Sequence, residues 1–144
     1  MIILITSKCR AVANYIIEKS NEYNEDRTFG KYEMMSCKRL QRLLYFCNVK
    51  YMLLQNGEFL FEDDFYAWPT GIVIPGIYYV YVPYLVGKSI PRYEGKSFKL
   101  TGKEILIIDN VLEQTKDIAT IDLIKISNNG LWERYYDKND FEHN

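Results

Sequence analysis

The stretch from Cys37 to about Gln55 constrains the fold of this chain more than any other, because its apolar residues recur at helical spacing. Ser36 is a good N-cap, and Asn56-Gly57 supplies a left-handed stop after the last turn. The apolar stripe consists of Leu40, Leu43, Leu44, Cys47, Tyr51 and Leu54. Such spacing places its members on one face of an α-helix. We therefore predict a long helix with one buried face.

Three further helices are predicted from periodicity and capping. The first covers about residues 8–19, with apolar positions at i, i+3, i+4 and i+7. Thr101 and Glu104 have the spacing of a capping box and open a second helix to about residue 114. A third, shorter helix is expected over residues 120–126, with its first residue as the cap. These elements predict a mainly α protein.

Little of the chain is expected to be extended. Phe59–Phe61 is predicted as a short strand, the minor β element of the fold. Residues 68–71 must bend, because proline fixes its own φ and biases the residue before it. Pro75 can open a helix at its first position. The residues at 76–86 are equally rich in strand formers, so helix and strand both stay open there.

Length and composition predict one compact domain over residues 1–144, with a leader at 1–8 and a frayed tail at 137–144. Hydrophobic residues make up 48% of the chain and charged residues 26%, which is ordinary for a soluble protein. The net charge of −1 gives no general attraction to nucleic acid or to an anionic membrane.

Cysteine usage and the amino terminus favour the cytoplasm. An odd count of three cysteines, without a secretory signal, indicates reduced thiols. The opening apolar run is only five residues long, too short to span a bilayer. We therefore expect a cytoplasmic protein without a membrane partner.

The sequence offers little to catalysis. Its only histidine, His143, lies next to the last residue, where a triad or metal ligand is hard to hold in place. No phosphate-binding glycine motif is present. The sequence thus predicts no enzyme, no metal and no cofactor. One weak alternative is a magnesium-dependent nuclease, in which Asp63 and Asp64 hold the metal and Glu94 and Lys96 complete an acid-acid-x-lysine layout.

Lys38, Arg39 and Arg42 crowd the first turns of the central helix, where the macrodipole favours acids rather than cations. Something acidic is expected to offset them. The acidic group is either Glu33 or the acidic turn at 62–64 within the fold, or it is the acidic surface of a partner; nucleic-acid phosphates are the less favoured alternative. The three residues are therefore candidate partner-binding residues.

Aromatic residues gather around the proline turns of a chain that holds 13 Tyr, 7 Phe and 2 Trp. Trp68 is expected in the core, and at least one of Tyr78 and Tyr81 should face inward. Tyr79 points elsewhere if its segment is helical, so it is the candidate interface anchor. Trp132 is expected to lock the C-terminal segment onto the core.

Several of these motifs match one known pattern. Residues 13–16 read Ala-Asn-Tyr-Ile, residues 40–45 read Leu-Gln-Arg-Leu-Leu-Tyr, and residues 67–75 contain Ala-Trp and Gly-x-Val-x-Pro. The chain in this respect resembles the Panacea domain family, also called SocA-like, of bacterial and prophage antitoxins. The matching positions are Leu40, Gln41, Leu43, Leu44, Tyr45, Ala67, Trp68, Gly71, Val73, Pro75, Tyr78 and Trp132. Ile72 stands where the family usually has proline, and Arg42 replaces a lysine.

The resemblance implies a mainly helical module that binds and neutralises a protein toxin encoded beside it, without enzymatic activity. Some relatives instead deliver a toxin to an ATP-dependent protease. Direct neutralisation, a proteolytic adaptor and the nuclease are therefore the three hypotheses. Family membership does not name the partner.

Overall fold

The computed structural model describes residues 5–25, 35–84, 90 and 99–128. The helices in this part of the chain are α1 Ser7–Glu25, α2 Cys37–Leu54, α3 Pro75–Tyr81, α4 Gly102–Thr115 and α5 Thr120–Ser127. A hairpin of β1 Tyr66–Trp68 and β2 Gly71–Val73 precedes α3, and one 3-10 turn, Val82–Tyr84, follows it. The predicted class, mainly α with minor β, is confirmed.

Helix α2 forms the centre of the fold, because α1, α3, α4, α5 and β2 all pack against it. Its predicted bounds and its cap are confirmed: the Ser36 side chain accepts a hydrogen bond from the Arg39 N–H at 3.2 Å. The left-handed stop is also present, with φ of 54° at Asn56 and 87° at Gly57. The apolar stripe is buried over its first half and ends at Leu54, which is exposed.

The helices that surround α2 follow local signals closely. Helix α1 begins after Thr6, whose Oγ1 accepts from the Cys9 N–H, and it extends to Glu25, further than predicted. The capping box of α4 is present in full. The predicted cap of α5 is wrong, because Ala119 occupies the N-cap position. Thr120 lies one residue inside the helix, and its Oγ1 accepts from Arg39.

The predicted strand at Phe59–Phe61 is wrong. A half-buried strand alternates buried and exposed side chains, whereas Leu60 and Phe61 are consecutive and both buried. The N–H of Leu60 also donates to Oδ1 of Asn48, at 2.8 Å, rather than to a neighbouring strand. Residues 58–65 are therefore irregular, and helix α2 supplies the hydrogen bond that a strand would have provided.

The minor β element is a hairpin at the proline turn. Its strands are antiparallel, with Tyr66 opposite Val73 and Trp68 opposite Gly71, and residues 69–70 form the connection. The segment at 76–86, for which both helix and strand were possible, forms helix α3 and the 3-10 turn as far as residue 84. Tyr81 is buried, which confirms that one of the two tyrosines faces inward.

All three cysteines are free and lie in the core, at Cys9, Cys37 and Cys47. Burial raises the pKa of each thiol above its ordinary value, and that of Cys37 reaches about 11 although the charge of Arg42 works in the opposite direction. No helix in the described ranges combines the length and apolar character that crossing a bilayer requires.

Candidate functional site

Helix α2 holds the start of α3 through the side-chain amide of Gln41. Nε2 of Gln41 donates to the carbonyl of Ile74 at 3.0 Å, and the N–H of Ile74 donates back to Oε1 at 2.9 Å. Gln41 and Ile74 are both almost fully buried, so these two bonds form away from water. The pairing fixes the point at which the hairpin ends and α3 begins, because Ile74 is the N-cap of that helix.

Arg42, the next residue of α2, holds the hairpin itself. Its Nη1 donates to the Ile72 carbonyl at 3.3 Å and its Nη2 to the Thr70 carbonyl at 2.5 Å. Gly71 lies between these two carbonyls with φ of +120°, a conformation that L side chains rarely adopt. A Cβ at Gly71 would also collide with Nη2 of Arg42. The glycine therefore allows the guanidinium to reach the turn.

Two buried polar atoms next to Gly71 lack a hydrogen-bond partner in the part of the chain that the structure describes. They are Nε of Arg42 and Oδ1 of Asn128, at the end of α5. Oδ1 of Asn128 and Cζ of Arg42 would lie 3.1 and 3.2 Å from a Cβ at Gly71. Desolvation of the buried guanidinium lowers the pKa of Arg42 to about 10, despite the opposing effect of Cys37.

Arg39 ties α2 to the connection between α4 and α5. Its Nη1 donates to the Ile118 carbonyl at 2.8 Å, and its Nη2 donates to the Thr115 carbonyl at 3.0 Å. Thr115 is the last residue of α4, where the helix dipole is negative and a cation is favourable. Arg39 thus satisfies carbonyl groups that the helix itself leaves unpaired.

The prediction that Arg39 and Arg42 face a partner is wrong, because only 4% and 1% of their surfaces are exposed. Main-chain carbonyl oxygens and the hydroxyl of Thr120, rather than the acidic turn at 62–64, accept the hydrogen bonds described above. Lys38 is half-buried, and its contact with a partner stays a prediction. Glu33 lies outside the described residues.

The hairpin and α3 present an aromatic platform, which we define as Trp68, Tyr78, Tyr79 and Val80. The rings of Trp68 and Tyr78 meet edge to face with centroids 5.2 Å apart, and those of Tyr78 and Tyr79 do so at 5.4 Å. Trp68 and Tyr78 are half-buried, so the tryptophan is less enclosed than predicted. Tyr79 is 58% exposed, and its partner-binding role stays a prediction.

Of the residues in the nuclease hypothesis, Asp63 and Asp64 lie in the part of the chain that the structure describes. Asp63 uses both carboxylate oxygens to accept hydrogen bonds from Thr6, one from its N–H and one from its hydroxyl. Glu94 and Lys96 lie outside the described residues, as does His143. Within the described ranges, no group of three His, Cys, Asp or Glu residues could hold a metal ion.

Comparison of the sequence with models of known protein families gives a match, which includes the region just described. The model of the family "Antitoxin SocA-like, Panacea domain" matches residues 40–133, well over half of the chain. The chain belongs to this family. No curated protein and no solved structure matches it. The Panacea domain match begins at Leu40 in helix α2 and includes the whole hairpin and α3.

In this Panacea domain most of the matching motif residues fall into three structural groups. Leu40, Leu43 and Leu44 lie in the core. Gln41 and Gly71, together with Arg42 at the position where the motif differs, join α2 to the hairpin. Ala67, Val73, Pro75 and Tyr78 build the hairpin and the first turn of α3, and Tyr45 packs edge to face on Phe65 at 5.5 Å. Trp132 lies outside the described residues.

Sequence reasoning missed two polar residues of this region, Asn48 and Asn128. Asn48 is 5% exposed and holds Leu60, and Asn128 approaches Gly71. The available signal for Asn48 was an amide within the apolar face of α2, one residue after Cys47. A polar side chain on a buried helix face needs a partner, and here the partner is main chain from an irregular segment.

Proposed function

We propose that this Panacea domain protein is an antitoxin that binds a protein toxin directly and neutralises it without catalysis. The observation that carries the proposal is the family match over residues 40–133. The matched region contains the residues that join α2 to the hairpin and to α3. They hold a surface in place and leave it exposed, as a binding protein requires.

The chemistry of the polar residues supports a binding role. Arg39, Arg42 and Gln41 direct their polar groups to main-chain atoms of the fold. Asp63, the acid nearest to a nuclease-like role, accepts two hydrogen bonds from Thr6. These groups stabilise the fold. We place the toxin and antitoxin in the cytoplasm, where the free thiols remain reduced.

Co-expression tests the proposal. The probe is the product of an adjacent gene, selected by the criterion that its expression alone arrests growth. Expression of this chain should restore growth, and the two purified proteins should form a complex that elutes as one species. If growth stays arrested and no complex forms, the proposed function is wrong.

The same experiment distinguishes neutralisation by binding from delivery to a protease. The half-life of the toxin is measured with and without this chain. Under direct neutralisation, toxin levels stay constant while growth recovers. A half-life that shortens only in cells with an active ATP-dependent protease would instead identify a proteolytic adaptor.

A further inference from the structure

From Phe65 to Tyr84 the chain carries no charged residue, although charged residues make up 26% of the whole sequence. This segment is not simply core. Pro69, Thr70, Tyr79 and Val80 are exposed in it. The centre of a protein–protein interface is depleted in charge and enriched in Tyr and Trp. The segment has this composition, and it includes the entire aromatic platform.

We infer that the aromatic platform is the toxin-binding surface, and that its occupant is an uncharged, apolar patch on the folded toxin. This inference rests on the proposed function. Tyr79 is 58% exposed, and Val80, the next residue, is 41% exposed. The tyrosine hydroxyl adds a hydrogen-bonding group at the edge of an apolar contact, which matches a main-chain or amide group on the partner.

The platform is held rigid before any partner arrives. Trp68, Tyr78 and Tyr79 support one another edge to face. Beneath them, Gln41 and Arg42 fix the main chain from Thr70 to Ile74. Binding to such a surface orders few side chains, so a larger share of the contact energy appears as affinity. Rigid aromatic side chains are typical anchors of interfaces for the same reason.

The absence of charge also identifies the occupant. A nucleic acid or an acidic protein surface is bound by exposed cations. Arg42, which contacts the hairpin, and Arg39, which contacts the connection between α4 and α5, both direct their guanidinium groups into the fold. A strongly charged partner surface would lose its hydration against the platform without gaining an ion pair from residues 65–84. The contact therefore suits an apolar surface.

Three other exposed apolar side chains lie in a different environment. Leu53 and Leu54 end α2 and Phe59 lies five residues after it, with the charged residues Lys50 and Glu58 near them in the sequence. Isolated apolar side chains among charges are normal on a protein surface. Phe59 is 58% exposed, the same as Tyr79. It therefore provides a matched aromatic control outside the platform.

The test compares Tyr79→Ala with Phe59→Ala, using the purified product of the adjacent gene as the binding probe. Both variants should stay folded, with melting temperatures within about 5 °C of the wild type, because both side chains are more than half exposed and Tyr79 loses only its edge contact with Tyr78. Calorimetric titration should show Tyr79→Ala binding weaker by about 30-fold or more. Phe59→Ala should stay within about twofold of wild type, as expected outside a hot spot. Tyr79→Glu should abolish growth rescue.

Each other outcome contradicts a specific statement. If wild type binds and Tyr79→Ala binds equally well, the platform is not the toxin-binding surface, while the antitoxin function stands. If the wild type neither binds nor rescues growth, the proposed function fails, and this inference fails with it. If the wild type is a dimer that Tyr79→Ala converts to a monomer without loss of toxin binding, the platform is a self-association surface and the inference is overturned.

Discussion

Replacement of Gln41 by methionine tests whether α2 holds the platform through the two hydrogen bonds to Ile74. Methionine has nearly the same length and shape as glutamine but no polar end, so packing changes little. In Gln41→Met the N–H of Ile74 loses its acceptor at 2.9 Å. The carbonyl of Ile74 loses one donor and keeps another, the Tyr78 N–H at 3.1 Å.

The magnitude follows from which of these groups is left without a partner. Ile74 is only 2% exposed, so water does not replace the lost acceptor. A buried donor left unpaired costs about 1–3 kcal/mol, and the remaining carbonyl bond limits the second loss. We expect the free energy of unfolding to fall by about 2–3 kcal/mol. For 144 residues this corresponds to a melting temperature lower by about 7–10 °C.

Urea unfolding followed by circular dichroism measures the loss. The matched control is Gln114→Met, the same substitution on an exposed position of α4, where a change within about 0.5 kcal/mol is expected. Because the bonds place the start of α3, Gln41→Met should also weaken toxin binding although it does not reach the surface. Equal stability of the two variants would refute the role assigned to Gln41.

Two further predictions concern the same region. Gly71→Ala should destabilise the protein by at least about 2 kcal/mol, because the residue has φ of +120° and its Cβ would displace the guanidinium of Arg42. Gly102→Ala is the control, since a Cβ there meets nothing within 4 Å. Its urea midpoint should match that of the wild type. If the two variants lose the same stability, the role assigned to Gly71 is contradicted. Burial raises the pKa of Cys37 to about 11, with the Arg42 charge opposing it. Because this pKa lies above that of the unfolded thiol, its contribution to stability is complete below about pH 9 and is lost as the pH rises towards 11. In urea titrations, Cys37→Ala should therefore lose less stability than the wild type as the pH rises from 8 to 10.5. Identical dependence of stability on pH in the two proteins would contradict the raised pKa of Cys37.

The helices were predictable because their signals are local. The stripe of α2, its Ser36 cap and the Asn56-Gly57 stop lie within a few residues of the structure that they determine, and so does the capping box of α4. The sequence did not decide between helix and strand in the segment that forms α3, because Tyr and Val suit strands as well as helices. Tertiary contacts, including the bond from Gln41 to Ile74, decide the matter there.

The errors at Arg42 and at Phe59–Phe61 have one physical origin, which is a side chain that bonds to main chain far away in the sequence. Arg42 bonds to carbonyl groups 28 and 30 residues away, so its sequence neighbourhood gave no sign that it is buried. The strand expected at Phe59–Phe61 failed because Asn48, 12 residues earlier, binds the N–H of Leu60. Sequence patterns identify the faces of helices, but they do not reveal which loop a buried polar side chain will hold.

The most direct test of the central claim is the affinity of the purified chain for the purified toxin, with the toxin's half-life measured in the same cells. We predict a stable complex, weakened by Tyr79→Ala but not by Phe59→Ala, and a toxin that persists while growth recovers. Growth that recovers without any complex, or a toxin that this chain cleaves or causes to be degraded, would contradict neutralisation by contact.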